Sequence, residues 1–93
     1  MIASWANEAA RAVFEGRAPR SVPSDILSKV RRLLAQLNAA AVIGDLRAPP
    51  GNRLHELSGD LAGRWSVSVN MKYRITFRWG EDGPEDVWLG DYH

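Results

Sequence analysis

Two spacings of hydrophobic residues divide this chain. Ile26, Val30, Leu33, Leu34, Leu37 and Ala41 recur at steps of three and four. That spacing stacks them on one face of an α-helix. It predicts an amphipathic helix over 24–41, with Pro23 at its start and Ser24 and Asp25 in its first turn, where a fixed φ and an acidic group suit a helix N-terminus. Lys29, Arg31, Arg32 and Gln36 lie largely off the apolar stripe. Further along, the period becomes two, which alternates side chains across a strand. In "RWSVSVN", Trp65, Val67 and Val69 point one way, Ser66 and Ser68 the other. In "YRITFRW", Tyr73, Ile75, Phe77 and Trp79 share a face opposite Arg74, Thr76 and Arg78. "GEDGP" reads as a turn. "EDVWLGDYH" reads as the last strand, with Val87 and Leu89 on one face.

The flanking segments are shorter. "MIASW" reads as a short first strand. Asn7 is placed to cap a short helix, with Glu8 in its first turn and Ala9, Ala10, Val13 and Phe14 as its apolar face. Gly16 ends it. "RAPRSVPS" is a Pro-broken basic loop, and Gly44 with "RAPPGN" breaks the chain again. "LHELSG" reads as another short strand or the approach to one. The 93 residues form one domain. Helices followed by a run of strands give an α+β fold, two N-terminal helices packed on a small antiparallel sheet. The far face of such a sheet is partly open, and Arg74 and Arg78 belong on it or at its edge.

Composition narrows the function. There is no cysteine, so neither a disulfide framework nor a cysteine zinc site is available. No stretch approaches the ~20 apolar residues of a membrane span, and the start has no signal-like apolar run; a cytoplasmic protein is expected. The net charge of +1 hides an asymmetry. Residues 1–80 hold all twelve Lys and Arg against six acids, or +6; residues 81–93 hold five acids and no Lys or Arg, or −5. A basic body suits an anionic partner such as nucleic acid. It is also what an ordinary solvated surface with an acidic hairpin would show.

No phosphate-binding glycine loop, nucleophile elbow or helical histidine pair at metal spacing is present. What remains is His55, Arg74, Arg78, Asp91, Tyr92 and His93 among basic residues. That set fits cleavage of RNA by its own 2′-hydroxyl. The reaction needs a base for the 2′-OH proton, an acid for the leaving 5′-oxygen and a cation for the phosphorane charge. Histidine titrates nearest neutrality, and arginine clamps phosphate through two oxygens at once. Tyrosine can stack on a base or donate its hydroxyl. Each of these residues also has an ordinary structural reading, as surface or packing.

"PPGNRLHELSGDLAGRWSVSVNMKYRITFRW" followed by "DYH" resembles the HigB family of bacterial toxins, within the RelE-like superfamily. The resemblance extends over nearly the whole chain. It implies a compact ribonuclease, the toxin half of a type II toxin–antitoxin pair, that cuts mRNA in the ribosomal A site without metal or cofactor. It implies a helix-turn-helix, HigA-like antitoxin as partner, and contact with operator DNA only through that antitoxin. By matching positions, His93 is expected to transfer a proton and Asp91 to orient it or act as base. Arg74 is expected at the scissile phosphate, His55 as a second proton-transfer or phosphate group, and Tyr92 against a base. Many relatives have Lys where this chain has Ser58; Arg53, Arg64, Lys72 or Arg78 are candidates to replace that charge on the RNA. Strict alternation places Arg74 opposite the Asp91/His93 parity, and a bulge or bend at Gly90 would reset it. The rival readings are a non-catalytic RNA- or ribosome-binding domain, a pure interaction module, and a ribonuclease that needs no ribosome.

Overall fold

The structure, a computed structural model, describes residues 1–91. Tyr92 and His93, both expected in the site, lie outside the described residues. Helix α1 is Glu8–Phe14 and helix α2 is Leu27–Ala39. Strands β1 His55–Glu56, β2 Trp65–Ser68, β3 Tyr73–Gly80 and β4 Gly83–Asp91 form one antiparallel sheet in the order β1-β2-β3-β4. This is the expected α+β architecture.

Helix α2 supplies the centre of the core. Val30, Leu33, Leu34 and Leu37 are fully buried, in one cluster with Val67, Ile75, Phe77, Val87 and Leu89 of the sheet. The helical run differs from the expected 24–41 at both ends. Ser24–Ile26 form a tighter 3-10 turn before α2 begins. At the other end Ala40 is extended (φ −65°, ψ 130°). There the Asp45 carboxylate accepts from the Ala41 N–H (2.9 Å) and the Val42 N–H (3.3 Å). A side chain thus competes successfully with the next helical turn. Buried Asn52 then ties the following loop down, its Nδ2 donating to Gln36 Oε1 and to the Leu46 and Ala48 carbonyls. That anchorage delivers the chain to β1.

The first segment is not a strand. Trp5 makes one isolated parallel bridge to Val87. Around it, the Ala3 N–H donates to Pro84 O (2.7 Å) and the Ala6 N–H to Val87 O (2.8 Å). The reason lies in β4. Asp86 has φ 51°, and its N–H donates to the Ser4 hydroxyl (2.8 Å) instead of a backbone carbonyl. The edge of β4 is therefore interrupted where a regular ladder would need it straight.

The same irregularity shifts the β3–β4 register. Thr76 pairs with Trp88, but Arg78 pairs with Glu85. One residue of β3 thus faces two of β4, which is a β-bulge. Downstream of it the register is regular: Ile75 with Leu89, Arg74 with Gly90, Tyr73 with Asp91. The expected bulge at Gly90 is absent; it lies at Asp86–Val87, because aspartate tolerates the left-handed conformation better than most side chains. Its consequence is that Glu85 and Trp88, three residues apart, stand on the same face.

A candidate RNA-facing surface on the open side of the sheet

The register aligns side chains in rows across the sheet. One row on the open face runs His55, Ser66, Thr76, Trp88 from β1 to β4; the next runs Ser68, Arg74, Gly90. Arg78, paired with Glu85, continues this face toward the β3–β4 turn. Four strands therefore place one histidine, two arginines and a tryptophan on one surface.

Arg64 joins them from the residue preceding β2. Its Nη2 donates to Thr76 Oγ1 (2.9 Å) and to the Asp86 carbonyl (2.6 Å). The bulge exposes that carbonyl to it. Burial lowers the Arg64 pKa, neighbouring Arg78 lowers it further, and Asp86 partly offsets both. The group stays charged at any physiological pH, but its cation is less well compensated than it would be in water. Arg78 makes a long contact to the Asp86 carboxylate (Nε–Oδ2 3.8 Å). An anion reaching this corner would relieve both charges.

His55 is exposed on the edge strand, and its Nδ1 is 3.0 Å from the Arg53 carbonyl. A carbonyl only accepts, so this contact favours a proton on Nδ1 and leaves Nε2 as the basic nitrogen of the neutral ring. Arg53 itself is in the left-handed region (φ 49°) as the turn ends, and its side chain is exposed. Ser58 opens the Gly59–Leu61 turn without a side-chain capping bond.

Asp91 ends β4. It keeps the parity of Leu89 and pairs with Tyr73, so it does not share the row of Arg74. It nevertheless contributes to the wall of a cavity of about 550 Å³ with Ala6, Leu61, Arg64, Thr76 and Trp88. Lys72 Nζ lies 3.8 Å from Asp91 Oδ2 and 5.7 Å from the Tyr73 ring centroid. That cation therefore sits by a carboxylate at the strand end. Asn7 fixes this end of β4. Its Oδ1 accepts from the Ala10 N–H at the start of α1 and from the Leu89 N–H, while its Nδ2 donates to Leu89 O (2.7 Å). One amide caps the helix and pairs with the strand.

Of the expected residues, the structure gathers His55, Arg64, Arg74 and Arg78 on one face, with Asp91 on the adjoining cavity wall. It sets Arg53 beside His55 and Lys72 beside Asp91. Reading the sequence overlooked Trp88, Thr76 and Leu61. The signal for Trp88 was its spacing of two from Gly90, which puts a large ring next to an empty position on the same strand face.

Comparison with known proteins is consistent with these features. The family model described as "RelE-like toxin of type II toxin-antitoxin system HigB" matches residues 4–93. "Toxin HigB-1" of Vibrio cholerae is 47% identical over 60 residues, 64% of this chain and 63% of that protein. "Endoribonuclease HigB" of Proteus vulgaris is 30% identical over 93 residues, the full length of both. In fold, the crystal structure of YafQ from Escherichia coli BL21(DE3) superposes with a TM-score of 0.57 at 13% identity, covering 99% of this chain and 92% of that one.

Proposed function

The chain belongs to the RelE-like HigB toxins of type II toxin–antitoxin systems, and from that premise we propose that it is a ribosome-dependent mRNA endoribonuclease. The observation that carries the reading is the open face: a histidine with a basic Nε2 and two arginines aligned by the register of one sheet, with Arg64 held against them by its bonds to Thr76 and the Asp86 carbonyl. A full-length relative bearing the name endoribonuclease supports the same activity.

In this reading a base removes the 2′-OH proton. The 2′-oxygen attacks the adjacent phosphorus, and the P–O5′ bond breaks as an acid protonates the leaving 5′-oxygen. The products are a 2′,3′-cyclic phosphate and a 5′-hydroxyl. His55 Nε2 and His93 are the proton-transfer pair, and Asp91 orients His93 or serves as base. Arg74, with Arg64 and Arg78, stabilises the phosphorane charge; in a site excluded from water such groups are worth several kcal/mol. Tyr92 positions a base, and Arg53 and Lys72 bind flanking RNA. No metal takes part. The ribosomal A site supplies what a small surface lacks, a substrate already held in place.

The system type implies an antitoxin as partner. We propose a helix-turn-helix, HigA-like protein that neutralises the toxin and carries the complex to operator DNA. Among the described residues no helix is long and apolar enough to cross a membrane, and action on mRNA places the protein in the cytoplasm.

The test is cell-free translation of a defined mRNA with purified protein, mapping fragment 5′ ends with and without ribosomes, and with His93→Ala. Cuts that need ribosomes and vanish in the variant are expected. Cuts without ribosomes would replace this reading with a free ribonuclease. Blocked translation without cuts would replace it with a ribosome-binding protein.

A further inference from the structure

We infer that Trp88 is the stacking platform for one nucleobase of the mRNA at the cleavage site. The inference rests on the endoribonuclease reading and adds a specificity-determining residue to it. Val87 and Leu89 on either side are buried in the core, so the alternation of β4 sends Trp88 to the open face. There it is only half-buried. It shares the walls of the 550 Å³ cavity with Leu61, Arg64 and Thr76. Leu61 is an exposed large apolar residue, 39% accessible. Two apolar side chains thus line one cavity that also holds a guanidinium.

The placement of the indole is specific. Gly90 follows on the same face, and a Cβ there would lie 2.5 Å from Trp88 Cζ2 and 2.6 Å from Cη2. The ring therefore occupies the space that any other residue at position 90 would need, and it lies along the strand. It is held next to the Arg74 row by the pairing of Arg74 with Gly90.

The neighbouring charges identify the occupant. A purely apolar ligand would gain nothing from Arg64, Arg74 and Arg78. A nucleotide uses both features: its phosphate meets the guanidinium groups and its base meets the indole. Base–aromatic stacking is sequence-tolerant, because every base has a π-face. The cavity walls then decide which base fits: Asp91 and Thr76 bring polar atoms to its rim, and Leu61 an apolar one. In this chain the platform holds the base, and the cavity walls around it set a preference at that one position.

The test uses stalled ribosomes carrying mRNA with an abasic nucleotide at each position of the A-site codon in turn, read as single-turnover cleavage rates. Wild-type protein is expected to lose on the order of ten- to hundred-fold at one position, the usual worth of one stacked base. Trp88→Leu is expected to show that loss on intact mRNA, with no further loss at the abasic position. Trp88→Phe should recover part of the rate. Gly90→Ala, which keeps the indole but displaces it, should weaken the same position only. Thermal melts establish that each variant is folded. Trp88→Leu cutting intact mRNA at the wild-type rate, or keeping the full abasic penalty, would overturn the inference while leaving the nuclease reading intact. Wild-type protein that cuts no mRNA at all would overturn both.

Discussion

The two faces of the sheet carry the same backbone and opposite chemistry. On the helical side, Val67, Ile75 and Leu89 form one row, and Phe77 stands in the next, all at 0–3% exposure. On the open side, the corresponding rows hold His55, Ser66, Thr76 and Trp88, then Ser68, Arg74 and Gly90; Ser66 and Thr76 are buried at the centre of this face, and His55, Arg74 and Trp88 stand nearer solvent. Stability is concentrated on one side and candidate chemistry on the other, so substitutions on the two faces should separate folding from activity.

The largest expected effect is on the packed side. Phe77→Ala removes a fully buried ring and should cost ~3–5 kcal/mol, much of the ~5–15 kcal/mol that holds a domain together. A urea titration reads it as a strongly lowered midpoint; a midpoint near wild type would mean the core is not where the structure puts it. His55→Ala is the counterpart. It should slow cleavage ~10²–10⁴-fold and leave the urea midpoint in place, because the side chain is exposed and its contact is local. An equal loss of stability would break the contrast between the faces.

Asn7→Ala links them. It removes a helix cap and both bonds to Leu89, and should destabilise by about 1–2 kcal/mol. Because Leu89 is two residues from Asp91, cleavage should fall more than a cap alone explains. The smallest effect lies far from the sheet. Hydrogen bonds from Arg17 and then Arg11 hold the Glu15 carboxyl below its ordinary value of 4.5. A lowered carboxyl stabilises the fold above that value and loses the contribution as pH falls through the lowered one. Glu15→Gln should therefore melt slightly earlier than wild type at neutral pH, with the gap closing in strong acid. The gap should also shrink with added salt, since the pairs are exposed.

The alternation of β3 and the stripe of α2 were legible from the chain, because each follows one period without interruption. The α+β architecture followed from their order. Strand β4 was less so. Its period is broken by Asp86, a residue whose left-handed backbone has no signature beyond the tolerance of aspartate for it. A bulge was expected from parity and assigned to Gly90, since glycine is the usual marker; the glycine instead makes room for an indole. Arg64 and Arg78 could be named as cations from sequence. That Arg64 is held by a carbonyl freed at the bulge depends on a contact 22 residues away, which no local pattern encodes. Asn7 was legible as a cap but not as a partner of Leu89, 82 residues on.

The central claim is that RNA meets the open face. The chain has four tryptophans, and the fold separates them. Trp65 and Trp79 pack against the core, Trp5 packs against it from the N-terminal segment with its ring tilted 45° to Phe14 (5.3 Å between centroids), and Trp88 lies on the open face. Indole N–H signals in ¹⁵N-labelled protein can be assigned by single Trp→Phe variants and followed while a short single-stranded RNA, 2′-O-methylated at every position to block cleavage, is added. The Trp88 signal should move first and furthest, with Trp65 and Trp79 nearly still. Movement centred on Trp5 instead, with Trp88 unchanged, would place RNA on the helical side and contradict the account.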